Sequence, residues 1–295
     1  MKSPASLAFT KMHGLGNDFI VVDATRTPFR PSPAQARALT DRHFGVGCDQ
    51  ILVLEPASSA DFDFDYRIYN ADGTESGQCL NGSRCVARFI REQNLSNNDR
   101  IRVRTRTTAM GLELRADGQV RVDAGVPLFE PADLPFTAPA RALRYSVALN
   151  GGALIEMGAA SMGNPHAVLA TDDVEAAPVE DIGRALQQHP AFPQRVNVGF
   201  LQVMDSAHAK LRVYERGAGE TLACGSGACA AMAVGRLWGV LGPSVDMQLR
   251  GGVLHLDWAG EGQPLYMTGP AVTVYRGEIQ WREGEGDRAW VGKSG

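Results

Sequence analysis

Residues 70–85 read NADGTESGQCLNGSRC and run on into VARFIREQ; residues 215–229 read ERGAGETLACGSGAC and run on into AAMAVGRL. Each stretch sets a glutamate (Glu75, Glu220) four residues before a cysteine (Cys79, Cys224) and a glycine (Gly82, Gly227) three residues after it. In each, small residues follow at helical spacing. Chance produces one such stretch more readily than two in corresponding places, so the chain reads as an internal repeat. The expectation is two related domains, each offering one cysteine at a helix N-terminus.

The flanking sequence supports domains built mostly of strands. Short alternating runs at 18–23, 50–54, 62–69, 100–107, 111–115 and 119–123 predict strands, and a proline near the start of 33–42 predicts a helix. A second set follows at 144–149, 153–157, 166–170, 196–203, 209–215, 246–250 and 252–257, with a helix at about 179–188. Between the sets, residues 127–139 (PLFEPADLPFTAP) hold four prolines, which helices and central strands tolerate badly; they read as the link between domains. Arg100, Arg102, Arg104 and Arg106 fall on one face of a strand and read as a solvated face. The 19 residues after Arg276 read as a frayed polar tail.

Composition narrows the function. Of 295 residues, 44% are hydrophobic, and 29 basic against 33 acidic residues leave a net charge of −4, so no global basic field attracts nucleic acid or an anionic membrane. No stretch approaches the length of a membrane helix, and MKSPASLAFTKMHGLGNDF carries no signal-peptide apolar run. Five cysteines, an odd number scattered along the chain, do not suit a disulfide framework. The expected setting is cytoplasmic and reducing. Only four lysines occur (Lys2, Lys11, Lys210 and Lys293), which leaves few candidates for the Schiff base that pyridoxal phosphate requires.

The cysteines sort by position. Cys85 and Cys229 lie within helical runs, and Cys48 follows a glycine-rich turn; all three read as packing. Cys79 and Cys224 precede their helices, where unpaired N–H groups and the positive dipole end can lower a thiol pKa. Zinc is disfavoured, since the spacings are C-x5-C and C-x4-C with no histidine pair. A thioredoxin-like exchange lacks its C-x-x-C, and nucleophilic catalysis makes no use of two symmetric thiols. Two equivalent acid–base groups suit inversion of a carbon: one removes a proton from one face while the other returns one to the opposite face. Backbone N–H groups after each cysteine could then hold a carboxylate as charge grows beside it.

KMHGLGNDF (11–19), NADG (70–73), Gln78-Cys79-x-Asn81-Gly82-x-x-Cys85, MGNPH (162–166), RVNVGF (195–200), ERGAGET (215–221) and ACGSGAC (223–229) resemble the diaminopimelate epimerase family, in order from about residue 9 to 275. The resemblance implies an α/β fold of two pseudo-symmetric domains, each a curved, barrel-like, mostly antiparallel or mixed sheet around a central helix, with the active site in the cleft between them. The implied domains are 1–125 and 126–270, with 271–295 returning to the first. The implied activity interconverts LL- and meso-diaminopimelate, in lysine and peptidoglycan-precursor synthesis, without cofactor or metal.

By position, the resemblance makes Cys79 and Cys224 the acid–base pair. Leu80, Asn81, Gly225 and Ser226 take the places whose N–H groups hold the reacting carboxylate. Asn70, Asn164, Asn197 and Arg216 match the grip on the distal amino-acid end, Asn17 and Gln50 match further substrate contacts, and His166 and Glu215 match polar partners of the thiols. Tyr275 matches a contact of the family's homodimer. Two residues depart from the family pattern: Leu80 stands where glycine is usual, and Cys48 where an apolar residue is more common. A leucine there would be costly if the position required positive φ.

A racemase of the same fold would keep both thiols but change the distal grip; Asn164, Asn197 and Arg216 argue against proline, which has no second amino-acid end. A phenazine-pathway isomerase of this fold lacks the cysteine pair. A non-catalytic amino-acid-binding protein would not need a thiol on each side. A redox sensor would use the two thiols as a disulfide, which reads here as a vulnerability.

Overall fold

The computed structural model describes residues 5–149 and 152–281. They divide into two compact units: one takes the residues up to Val122 and from Pro270 onward, the other Asp123–Gly269.

In the first unit the strands are β1 (Ala5–Gly14), β2 (Asn17–Asp23), β3 (Gln50–Pro56), β4 (Phe64–Asn70), β5 (Glu75–Ser76), β6 (Arg100–Arg104), β7 (Ala109–Leu114) and β8 (Val120–Asp123), with helices α1 (Pro33–Thr40) and α2 (Leu80–Glu92). In the second they are β9 (Tyr145–Ala148), β10 (Leu154–Ser161), β11 (Pro165–Ala170), β12 (Asn197–Val203), β13 (His208–Glu215), β14 (Gly219–Thr221), β15 (Ser244–Leu249), β16 (Gly252–Trp258) and β17 (Leu265–Gly269), with helices α3 (Val179–Gln187) and α4 (Gly225–Leu237). A last strand, β18 (Val272–Trp281), pairs with β1 in the first unit.

The repeat read from two short stretches extends through the whole topology. The first sheet runs β18–β1–β2–β3–β4–β6–β7–β8; its pairs are antiparallel except β2/β3 and β4/β6, and β5 makes a hairpin with β4. The second runs β9–β10–β11–β12–β13–β15–β16–β17; its pairs are antiparallel except β11/β12 and β13/β15, and β14 makes a hairpin with β13. Position for position, the senses agree. Only the chain order differs: the first strand of the second sheet comes from the segment before β10, whereas its counterpart in the first unit comes from the end of the chain.

Each sheet curves around its own helix. α2 packs against β18 and β1 near one edge and against β7 near the other, which a flat sheet could not permit. α4 likewise touches β10 through β13 together with β16 and β17. The sequence explains both helices. From Ala228 to Gly235 every residue of α4 is buried, as an all-round apolar helix should be. α2 is buried from Leu80 to Ala87 despite carrying Arg84, whose Nε donates to the Pro270 carbonyl (3.1 Å) and ties the returning chain to the helix. α1 starts at a capping box, with the Ser32 hydroxyl accepting from the Gln35 N–H and the Gln35 side chain accepting from the Ser32 N–H.

Three sequence expectations change. Residues 127–139 are not a free link: Leu134 and Phe136 belong to the second unit's core with Phe192, Val198 and Phe200. Proline there breaks regular structure without keeping its neighbours out of the core. The arginines of residues 100–106 do form a solvated face, but the strand stops at Arg104, where Thr105 takes up a turn onto Thr108. Residues 277–281, expected to fray, continue β18; the rest of that tail lies outside the described residues. The strands β1, β5, β14, β17 and β18 were missed by pattern.

Candidate functional site

The predicted residues collect into two clusters, one in each unit, built from the same parts. β2 and β3 run parallel and β4 antiparallel, so the starts of β2 and β3 and the end of β4 share one end of the sheet. That end carries Asn17, Gln50 and Asn70, and α2 begins beside it. In the second unit the turn before β11, the start of β12 and the end of β13 bring together Asn164, His166, Asn197 and Glu215, and α4 begins beside them. Register makes the parts equivalent. Phe19 pairs with Gln50 and Gln50 with Asn70, while His166 pairs with Asn197 and Val198 with Tyr214, one step from Asn197 opposite Glu215. Asn17 therefore corresponds to Asn164, Gln50 to Asn197 and Asn70 to Glu215.

Both cysteines are helix N-caps in extended backbone, Cys79 at φ −152° and Cys224 at φ −118°. Each sulfur accepts the N–H three residues on, Gly82 N at 3.3 Å and Gly227 N at 3.4 Å. The repeated glycine now has a reason. A Cβ at Gly82 would stand 3.4 Å from Cys79 Sγ and 3.2 Å from Leu52; one at Gly227 would stand 3.2 Å from Cys224 Sγ and 3.0 Å from Val213. A side chain at either would crowd the sulfur on its cap. Leu80 and Gly225 open the helices, and the first-turn N–H groups of Leu80, Asn81, Gly225 and Ser226 stand where an anion is favoured. Leu80 is buried and its φ is not positive, so leucine fits the position without backbone strain.

Around the sulfurs the clusters differ. Asn17 Oδ1 faces Cys79 Sγ (3.9 Å) and accepts from Asn81 Nδ2 (3.2 Å), while Gln50 Nε2 donates to Asn70 Oδ1 (2.8 Å). In the second cluster Asn164 is turned the other way: its Nδ2 donates to Ser226 Oγ (3.4 Å) and its Oδ1 faces His166 Nε2 (3.0 Å). Asn197, buried, accepts from the Arg216 N–H (2.8 Å) and donates to the Pro165 carbonyl (3.2 Å). Its structural part is thus to hold the start of Arg216's turn, while the exposed Arg216 guanidinium is aimed by the Gln194 carbonyl (3.0 Å).

Electrostatics sharpen the contrast. Cys224 is buried, and burial first, then the charge of Glu215 and a hydrogen bond to it, push its thiol well above the ordinary value. The lowering expected from the helix terminus is present in the Gly227 N–H but is outweighed. Glu215 itself accepts from the Thr221 hydroxyl, a contact the sequence reading did not anticipate. His166 is buried and held neutral, its pKa pushed down to about 3 by desolvation and then by Arg216. Cys48 and Cys85 are buried with pKa values pushed up to about 12, chiefly by burial, and Cys229 is fully buried, as packing residues should be.

The glutamates four residues before each cysteine serve the hairpins. Glu75 pairs with Arg67, and Glu220 takes a bidentate pair from Arg212. Tyr275 lies on β18 opposite Lys11 of β1, edge-on to Phe9 with ring centroids 6.0 Å apart. Among the described residues no group of three or more His, Cys, Asp or Glu is placed to hold a metal ion, and no helix is long and apolar enough to cross a membrane.

This duplicated fold is one that epimerases and related isomerases share. A hydroxyproline epimerase from Agrobacterium vitis superposes with a TM-score of 0.70 at 17% identity, covering 98% of this chain and 96% of that one. A PhzF-family phenazine biosynthesis protein from Bacillus anthracis gives 0.66 at 14% identity, covering 93% and 99%. At such identities the likeness concerns the fold alone. The sequence itself matches the diaminopimelate epimerase family over residues 9–129 and 158–274, and the chain belongs to that family. The diaminopimelate epimerase of Chromobacterium violaceum is 56% identical over 93% of this chain and 99% of its own length, and that of Stutzerimonas stutzeri 53% over the same shares.

Proposed function

We propose that the protein interconverts LL- and meso-2,6-diaminopimelate by a two-base thiol mechanism, in lysine and peptidoglycan-precursor synthesis. The observation that carries the reading is the duplicated N-cap cysteine with its glycine three residues on, in a chain of this family. In one direction the Cys79 thiolate removes the α-proton. Cys224, kept protonated by burial and Glu215, gives its own proton to the opposite face, and its sulfur takes the negative charge. In the reverse direction the roles exchange. The first-turn N–H groups of Leu80, Asn81, Gly225 and Ser226 hold the α-carboxylate while charge develops on the carbon.

The distal amino-acid end falls to Asn70, Asn164, Asn197 and Arg216, with Asn17 and Gln50 as further contacts. A carboxylate there suits the exposed guanidinium of Arg216. His166, neutral and buried, acts as a fixed hydrogen-bonding partner of Asn164. The mechanism calls on no cofactor and no metal. A cytoplasmic homodimer fits the reading, with Tyr275 at the contact; Val272, Val274 and Tyr275 leave β18 with an exposed apolar stripe at the edge of its sheet.

The test is incubation of the reduced protein with LL-diaminopimelate in heavy water. Deuterium should enter the α-position as the meso isomer forms. Absence of exchange, together with exchange into another amino acid, would refute the substrate.

A further inference from the structure

Asn17 presents an amide whose two ends differ in what they offer Cys79, and a carboxylate outside both clusters decides which end faces it. Asp49, the residue before Gln50, accepts from Asn17 Nδ2 (2.8 Å) and from the Asp18 N–H (3.1 Å) on Oδ2, and from Arg42 Nη2 (2.7 Å) on Oδ1. Arg42 also clamps both oxygens of Asp18 (2.8 and 3.0 Å), and the Asp49 N–H returns to Asp18 Oδ1 (3.0 Å). The mostly buried Lys11 completes the group, bound to Asp18 Oδ2 (2.6 Å) and to the Gly47 carbonyl. Two cations and two carboxylates thus staple the start of β2 to the start of β3. Burial disfavours the Asp18 charge, but the bonds from Arg42 and Lys11 bring its pKa down to about 2.

A carboxylate only accepts. Asn17 must therefore turn its NH2 end to Asp49, which leaves its carbonyl for Cys79 Sγ and Asn81 Nδ2. The reverse orientation would set two oxygens against each other. The second unit supplies the contrast: at the positions corresponding to Asp18 and Asp49 it has Pro165 and Val196, neither able to accept through a side chain. There Asn164 points its NH2 end toward the helix start and its carbonyl to His166.

We propose that Asp49 is a positioning residue that fixes the amide of Asn17 so that its carbonyl faces Cys79 and Asn81. The inference rests on the epimerase reading for its kinetic arm only. Asp49→Ala should lower kcat about tenfold or more and KM much less, and the double variant Asp49→Ala/Asn17→Ala should fall within about twofold of Asn17→Ala, since coupled residues do not add. Asp49→Asn, which still offers Asn17 an oxygen, should stay within about threefold of the unaltered protein. Circular dichroism melting keeps the assays below the unfolding range, and Asp49→Ser replaces Asp49→Ala if the latter does not fold. The second arm needs no substrate: iodoacetamide alkylation of Cys79, followed by peptide mass spectrometry, should shift by the same factor in Asp49→Ala, Asn17→Ala and the double variant. Multiplicative losses in the double variant, or Asp49→Asn falling as far as Asp49→Ala, would overturn the proposal. If the unaltered protein does not epimerise diaminopimelate, the epimerase reading fails and the alkylation series alone decides the role of Asp49.

Discussion

The two cysteine clusters share a skeleton and differ in dressing. In both, a sulfur caps a helix, a glycine three residues on makes room for it, and the same three strand ends surround it. In the first cluster the neighbours are amides: Asn17, bonded from behind to a charged staple, and Gln50, which donates to Asn70. In the second, Glu215 stands where Asn70 would be and His166 where Phe19 would be, and Cys224 is more deeply buried than Cys79. Duplication alone gives two identical thiols. An acid and a base facing one carbon need not be identical, and the differences lie in the groups that set their protonation.

The largest effect that can break the comparison is loss of either sulfur. Cys79→Ala and Cys224→Ala should each cut epimerisation at least about a thousandfold, toward the upper end of what acid–base groups contribute. Near-normal turnover by one of them would end the symmetric-pair account. Next comes Glu215→Gln, which removes the charge that helps keep Cys224 protonated while leaving an oxygen to accept a hydrogen bond. Its thiol titration, followed by ultraviolet thiolate absorbance, should move to lower pH, and kcat should fall about a hundredfold. An unmoved titration would mean that the charge of Glu215 contributes nothing and that burial and hydrogen bonding set the shift.

Leu80→Gly probes the place where the first cluster departs from its counterpart Gly225. Only the N–H is asked of this position, so kinetics should hold within about twofold, whereas removing a buried leucine should lower stability by about 2–4 kcal/mol in urea unfolding. A large kinetic change with little loss of stability would give the side chain a role at the site.

The smallest effect concerns His166. Its folded pKa of about 3 lies below the ordinary 6.5, so between those values the unfolded chain binds the extra proton and stability falls as pH falls. His166→Asn should remove that slope, narrowing the stability lost between pH 6.5 and 5 by about 1–2 kcal/mol. Equal slopes in the two proteins would mean that His166 protonates in place.

The sequence made the skeleton legible because it lies in local pattern. Cysteine, glycine at the third position and small residues behind them are all set within one turn of a helix, and the alternating runs placed thirteen of the strands. What escaped was non-local. β1 and β18 are broken by glycine and by polar residues, and they pair across nearly the whole chain. Asp49 reaches Asn17 only because β2 and β3 are parallel neighbours, a pairing that no spacing announces. Thr221 finds Glu215 through the hairpin of β13 and β14. The direction of the Cys224 shift also escaped, since a helix terminus can be read from sequence but the competing burial cannot.

If two thiols share one inversion, isotope position in heavy water reveals it. With LL-diaminopimelate at early times, the meso product should carry solvent deuterium at the inverted carbon while unreacted substrate keeps its protium, and starting from the meso isomer should give the mirror result. Deuterium entering unreacted substrate as fast as product, in either direction, would mean that a single base serves both faces and would contradict the account.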